Sequence, residues 1–185
     1  MNLPNRLTIA RILITPFFMA FLLLQLPNGH PIFPHQNIIA AIIFIAASIT
    51  DSLDGYLARK RHQVTVFGKF MDPLADKLLI TAALISLVQL GDVSAWIAWV
   101  ILGREFAVTG LRAILAADGI VLSASKWGKA KMVSQIIAIS EILLRDWPFG
   151  SLNIPVGQIF LYIALLLTII SGLDYFVKAR RSLKH

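Results

Sequence analysis

Residues 37–58 read NIIAAIIFIAASITDSLDGYLA, an apolar run that carries no charge as far as Thr50 and then ends in two carboxylates, Asp51 and Asp54. A run of that length suits a helix crossing a bilayer, whose hydrocarbon core takes about 20 residues. Five other stretches have the same character, at about 9–26, 71–90, 94–117, 130–145 and 155–177. The stretch at 130–145 is the most broken, because Glu141 interrupts it and Arg145 and Asp146 end it. Ahead of the first, LPNRLTIAR over residues 3–11 mixes polar and apolar positions at helical spacing. A short helix lying along the membrane interface is expected there, with Asn5 as its N-cap. The first span starts close to Met1 and has no small-residue cleavage site, which reads as a retained span rather than a signal peptide. The expected fold is all-α: a polytopic membrane protein of six transmembrane helices with a short N-terminal interfacial helix, forming one domain over residues 1–185.

Composition agrees with that reading. Of 185 residues, 57% are hydrophobic and 15% charged, against roughly 25% charged in soluble domains. This excludes a disordered chain, a collagen-like repeat and a nucleic-acid-binding tail. The absence of Cys excludes a disulfide framework, a thiolate metal site and a Cys nucleophile. The net charge is +7, and its distribution matters more than its size. Arg6, Arg11, Arg59, Lys60, Arg61, Lys69, Lys77, Arg112, Lys126, Lys129, Lys131, Lys178, Arg180, Arg181 and Lys184 all fall on one side of the expected spans; of the 17 basic residues only Arg104 and Arg145 do not. Basic residues accumulate on the cytoplasmic side, so both termini are expected there. Trp96, Trp99 and Trp147 fall near the opposite boundary, where aromatic anchors belong.

Against this background the acids are informative. Asp51, Asp54, Asp72 and Asp76 lie in one 26-residue window where the second span ends and the third begins. Asp51 and Asp54 are i,i+3 and Asp72 and Asp76 are i,i+4, so each pair shares a helix face. A hairpin of the two spans brings the faces together, with the third span starting either at Asp72 as cap before Pro73 or earlier, near Gly68. Two like charges about 5 Å apart cost roughly 3 kcal/mol at an effective dielectric near 20. Protonation or divalent cations relieve that cost. Oxygen-only donors without His or Cys suit hard ions, two Mg2+ or Mn2+, and paired ions are a recurring device for phosphoryl displacement. Gly55 and Ala58 lie near the first acidic face and Gly68 one turn before Asp72, leaving room for a ligand to lie against backbone. Tight helix packing alone also uses such residues.

This run resembles the signature of the CDP-alcohol phosphotransferase family, D-x-x-D-G-x-x-A-R-x8-G-x-x-x-D-x-x-x-D. All eight fixed positions are present: Asp51, Asp54, Gly55, Ala58, Arg59, Gly68, Asp72 and Asp76. The resemblance implies transfer of a substituted phosphate from a CDP-linked donor to an alcohol, with release of CMP. It further implies that the four aspartates ligate the two metal ions and that Asp76 is the general base. Gly55, Ala58, Arg59 and Gly68 would receive the donor, although Arg59 also fits an interfacial Arg whose stem lies along apolar surface. The opening LPNRLTIARILITPFF, together with GREFAVTGLR and SKWGKAKMVSQ, is similar to the phosphatidylglycerophosphate synthase branch, whose donor is CDP-diacylglycerol and whose acceptor is sn-glycerol 3-phosphate. The resemblance also implies a homodimer in the cytoplasmic membrane, with the site facing the cytoplasm.

The acceptor side is read from the fourth and fifth spans. Arg104 and Arg112 are two turns apart, with Glu105 and Thr109 alongside, and Lys126, Lys129 and Lys131 enter the fifth span. Arg104, Arg112, Lys129 and Lys131 are the candidate acceptor-phosphate ligands; an internal ion pair that merely stabilises packing is the alternative for Arg104 and Glu105. Thr8 and Arg11 face either the donor or lipid headgroups. Local ion pairs are expected for Asp174 with Lys178 and for Glu141 with Arg145. His30, His35, His62 and His185 have no ligand spacing.

Other readings have weaker support. Phosphatidylglycerol, serine or inositol phosphate as acceptor keeps the family and changes the branch. A cation transporter would place acids near the midplane, whereas these cluster at one end of their spans. A purely structural scaffold gives no reason for four intramembrane acids.

Overall fold

The computed structural model describes residues 3–25, 31–60, 66–117, 119, 125–148 and 154–182, with backbone alone for 3–6, 51–60, 66–73, 76 and 182. Among them the regular structure is helical: α1 (Leu3–Leu23), α2 (Gln36–Lys60), α3 (Val66–Gln89), α4 (Ala95–Ala117), α5 (Lys126–Leu143) and α6 (Val156–Ser182). The chain divides into two compact units, one holding α1 to α3 together with Leu143–Arg145 and the other the rest of α4 to α6. The all-α class and the six elements agree with the sequence reading.

Several boundaries differ from it. The expected interfacial helix is not separate: α1 runs unbroken from Leu3 through Leu23, and Asn5 lies inside its first turn instead of capping it. The mixed polarity of residues 3–11 has another cause, because Thr8, Arg11 and Thr15 are buried along one side of α1. These polar residues face protein, not headgroups. Of the two starts weighed for α3 the structure favours the earlier: the helix begins at Val66, two residues before Gly68, so Asp72 and Pro73 stand in its interior and Asp72 is no cap.

In the first unit α1 packs on both α2 and α3, and α2 on α3. Phe18 and Leu22 of α1, Ala40, Ala41 and Phe44 of α2, and Leu79, Ala83 and Leu87 of α3 are all buried. The rings of Phe18 and Phe44 meet at 6.2 Å between centroids. The last carbonyls of α1 have no partner within the helix. Gln36 supplies one, its side-chain amide donating to the carbonyl oxygens of Phe21 (2.6 Å), Leu22 (3.1 Å) and Leu24 (2.9 Å). Helix α3 closes on Gly91 at φ 79°, where Asp92 N–H returns to the Leu87 carbonyl at 2.9 Å and Gly91 N–H to that of Val88 at 3.1 Å. That double bond pattern needs a left-handed residue, which glycine adopts without a Cβ penalty.

In the second unit α4 packs on α6, through Ala98, Ile101 and Val108 on one side and Leu161, Ala164 and Ala179 on the other. Helix α5 is capped by Ser125, whose hydroxyl accepts the Gly128 N–H at 3.0 Å. Asp146 accepts the N–H of Gly157 in the first turn of α6 at 2.6 Å. A Cβ on Gly157 would lie 2.7 Å from Ile142 Cγ1 and 2.8 Å from its backbone nitrogen, so only glycine allows this approach.

The distribution of polarity is inverted relative to a soluble bundle. Ser48, Ser86, Ser134, Gln135, Ser140, Thr168 and Ser171 are buried, while Phe17, Ile42, Trp96, Phe106, Leu166 and Leu173 are exposed. One helix among the described residues, Val156–Arg181, is by length and composition long and apolar enough to cross a membrane. The shorter apolar helical stretches are Leu7–Leu23, Gln36–Thr50 and Lys77–Gln89. The sixfold count of spans expected from sequence is therefore met by helix number and not by apolar length. The chemical reason is visible in α4 and α5, where Arg104, Glu105, Arg112, Lys126, Lys129, Lys131 and Glu141 stand within the helices.

Replacing Gln36 by Ala leaves the α1 carbonyls without their donor. The expected loss is about 1–3 kcal/mol, read as a lower unfolding midpoint of the detergent-solubilised protein; an unchanged midpoint would show that these bonds contribute nothing net.

Candidate functional site

The motif residues fall on two consecutive helices. Asp51, Asp54, Gly55, Ala58 and Arg59 belong to the C-terminal part of α2, and Gly68, Asp72 and Asp76 to the N-terminal part of α3. Five residues connect the two helices, a link short enough to make them antiparallel neighbours, and they pack on one another. Both acid-bearing segments therefore sit at the same end of this helix pair. The side chains of these eight residues lie outside the described ones, so the carboxylate positions expected from sequence stand as a backbone placement. Among the described residues no group of three or more His, Asp or Glu is placed to hold a metal ion. The chemistry of the donor set fits hard divalent cations: four carboxylates from two packed helices, with no nitrogen or sulfur ligand in the motif.

The second unit holds the candidate acceptor residues, and the structure sorts them into two pairs. Arg104 and Lys131 are turned inward, whereas Arg112 and Lys129 are exposed. Glu105 joins the buried pair. Its Oε1 accepts from Arg104 Nη1 at 3.2 Å and from the Lys131 ammonium. Arg104 Nη2 donates to Ser171 Oγ at 2.9 Å, and its guanidinium lies 5.5 Å from the centroid of the Tyr175 ring. The side chain of Arg104 is only 12% exposed, and its Nε–H has no hydrogen-bond partner in the structure. The internal ion pair weighed from sequence is thus present, and it leaves one buried donor, Arg104 Nε–H, unanswered.

Tyr175 connects this cluster to the start of α5. Its hydroxyl accepts the backbone N–H of Ser125 at 3.2 Å, and Ser125 is the residue that caps α5. Gly172 lies one turn before Tyr175, and a Cβ there would come within 3.2 Å of Arg104 Cγ. Sequence reading missed Ser171, Gly172 and Tyr175. Each is an ordinary residue in the last apolar stretch, and its partner is 50 or more positions away: 67 for Ser171 with Arg104, and 50 for Tyr175 with Ser125. No local pattern marks such pairs.

The two local ion pairs fare differently. Asp174 and Lys178 pair at 2.7 Å, one turn apart on α6. Glu141 and Arg145 do not realise the same geometry, because α5 stops at Leu143 and Arg145 takes a left-handed backbone at φ 56°. Arg145 pairs instead with Asp92 at 2.6 Å, and one Glu141 oxygen is buried without a hydrogen-bond partner.

Removing Glu105 would strand two buried cations beside each other. Glu105→Ala is expected to cost about 3–5 kcal/mol, the range for breaking one side of a buried pair; Glu105→Ala combined with Lys131→Met should recover part of it. Equal midpoints for the single and double variants in thermal denaturation would contradict the coupling.

Comparison with known proteins agrees with the motif. The family model described as CDP-alcohol phosphatidyltransferase matches residues 1–170. The chain is 48% identical over 188 residues to a CDP-diacylglycerol–glycerol-3-phosphate 3-phosphatidyltransferase of Bacillus subtilis (strain 168), covering 99% of this chain and 97% of that one. It is 40% identical to the protein of the same name from Rickettsia bellii (strain RML369-C), covering 97% and 96%. With a probable phosphatidylglycerophosphate synthase of Mycobacterium tuberculosis (strain ATCC 25618 / H37Rv) it shares 41% identity over 98% of this chain and 83% of that one. On the family match over most of its length and these near full-length relatives, the chain belongs to the CDP-alcohol phosphatidyltransferase family.

Proposed function

We propose that the chain transfers the phosphatidyl group of CDP-diacylglycerol to sn-glycerol 3-phosphate, giving phosphatidylglycerophosphate and CMP. The observation that carries this reading is the complete motif on two packed helices of a chain that aligns nearly end to end with 3-phosphatidyltransferases of that substrate pair.

Asp51, Asp54, Asp72 and Asp76 would hold two Mg2+ or Mn2+ ions, which when bound offset the charge of the donor diphosphate. Gly55, Ala58 and Gly68 leave space for cytidine and ribose, and Arg59 adds a positive charge beside the phosphates. Asp76 takes the proton of the C1 hydroxyl of glycerol 3-phosphate. The oxygen so freed bonds to the phosphorus that carries diacylglycerol, while the bond from that phosphorus to the CMP oxygen breaks and CMP leaves with the electron pair. A carboxylate bound to a divalent ion is a poor base, so Asp76 would act as base either as a weak ligand or by shifting during the reaction. On the acceptor side, the cluster of Arg104, Glu105 and Lys131 would offer guanidinium and ammonium donors to an anion. The exposed Arg112 and Lys129 would add further donors.

The setting of this chemistry is the lipid bilayer. A helix such as α6, apolar all round, is either a core helix or a membrane span, and exposed Phe, Ile, Leu and Trp on the other helices favour lipid contact. With the basic residues gathered on one side, the reading is of six spans in the cytoplasmic membrane, both termini and the site facing the cytoplasm. The acyl chains of the donor then stay in lipid while glycerol 3-phosphate arrives from water.

The test is turnover by the purified protein in detergent with CDP-diacylglycerol, Mg2+ and labelled glycerol 3-phosphate. CMP release and a labelled lipid are expected, with loss on chelation by EDTA. Asp54→Asn or Asp72→Asn should reduce kcat/KM by more than about a hundredfold, since even outer-shell partners of a metal are worth 10- to 100-fold. Turnover with serine or inositol phosphate alone would overturn the acceptor, and full activity of both aspartate variants would overturn the metal role. Arg112→Ala should raise the acceptor KM more than it lowers kcat; an unchanged KM would remove Arg112 from the acceptor site.

A further inference from the structure

Helix α6 carries no motif residue, yet it touches the acceptor-side cluster at three positions within one turn. Ser171 accepts from Arg104 Nη2, Gly172 lets the Arg104 stem lie flat on the helix backbone, and the Tyr175 ring stands beside the guanidinium. Ser171 and Tyr175 are both buried. An arginine side chain has several rotatable bonds and loses about 2 kcal/mol of rotamer freedom when fixed. These contacts, with the Glu105 carboxylate on its other terminal nitrogen, leave it one orientation. The unpaired Nε–H is part of that result, because the groups around the guanidinium satisfy its ends and not its edge. On the far side of the ring the Tyr175 hydroxyl holds the Ser125 N–H. Ser125 in turn caps the first turn of α5, the turn from which Lys129 follows and beyond which Lys131 reaches Glu105.

From these contacts we propose that Tyr175 is a positioning residue for binding of the acceptor phosphate, with Gly172 as its steric complement. Through its ring it fixes the plane of Arg104, and through its hydroxyl it fixes the start of the helix that presents Lys129 and Lys131. It does not touch the acceptor. The inference rests on the assignment of Arg104 and Lys131 to the acceptor phosphate and deepens it: the grip on that phosphate is set from α6, a helix outside the motif.

The experiment compares wild type, Tyr175→Phe, Tyr175→Leu and Gly172→Ala as full-length chains in detergent, with KM measured separately for glycerol 3-phosphate and CDP-diacylglycerol. Tyr175→Leu is expected to raise the acceptor KM on the order of tenfold or more, the size of a desolvated cation–π contact. Tyr175→Phe keeps the ring and should give a smaller rise. Gly172→Ala displaces the Arg104 stem and should also raise the acceptor KM. In all three the donor KM stays within about twofold of wild type, a separation that general loss of packing does not produce. An acceptor KM unchanged in Tyr175→Leu, or raised no more than the donor KM, overturns the proposal. If Tyr175→Leu does not yield folded protein by size-exclusion and thermal melting, Tyr175→Phe and Gly172→Ala decide: a selective acceptor effect in Gly172→Ala supports it, and wild-type constants in both overturn it. Wild-type protein that turns over no glycerol 3-phosphate would instead refute the assigned reaction, an outcome distinct from active variants with unmoved constants.

Discussion

A charge surrounded by groups that cannot solvate it needs an opposite charge within contact distance, and this constraint organises both halves of the molecule. In the second unit it is met by protein: Glu105 answers Arg104 and Lys131 at once. In the first unit α2 and α3 bring four aspartates to one end of a packed helix pair, and the motif itself holds one arginine, Arg59. The same 26-residue window also holds Lys60, Arg61 and Lys69. On the proposed function, divalent cations would be the chemically matched partners of the four carboxylates.

Polar groups share the interior with the apolar core, as the proposed membrane setting would allow, since helices that meet lipid gain little by hiding leucine. Thr8, Arg11 and Thr15 on α1 follow this rule, as do Ser134, Gln135 and Ser140 on α5. A low count of charges in the sequence therefore coexists with a polar interior, and function is built where those few charges are concentrated.

How much of this was legible in the sequence depends on range. Apolar runs marked each helix because long apolar stretches without turn residues favour continuous helices, and the aspartate spacing marked the motif because i,i+3 and i,i+4 positions share a face. The Asp174–Lys178 pair was legible for the same reason. Helix ends were less so. Residues 3–11 look amphipathic from either a lipid interface or a protein contact, and only packing distinguishes them; Arg145 falls past the end of α5, which cancels the one-turn geometry its spacing suggests. The grip of Glu105 on Lys131, the caps supplied by Gln36 and Asp146, and the hold of Tyr175 on both Arg104 and Ser125 join distant segments. Nothing local encodes them. The four acceptor candidates were found as a set, but their division into buried and exposed pairs follows from how α4, α5 and α6 meet.

The central claim is that the aspartates of α2 and α3 are tolerable because metal ions occupy them. Mn2+ binding by the detergent-purified chain, followed by electron paramagnetic resonance in the presence of CDP, tests this without reference to turnover. The account predicts two bound ions per chain with a spin-coupled spectrum, and loss of that coupling when Asp54 or Asp72 is replaced by Asn. Absence of tight Mn2+ binding, or binding indifferent to both replacements, would contradict it.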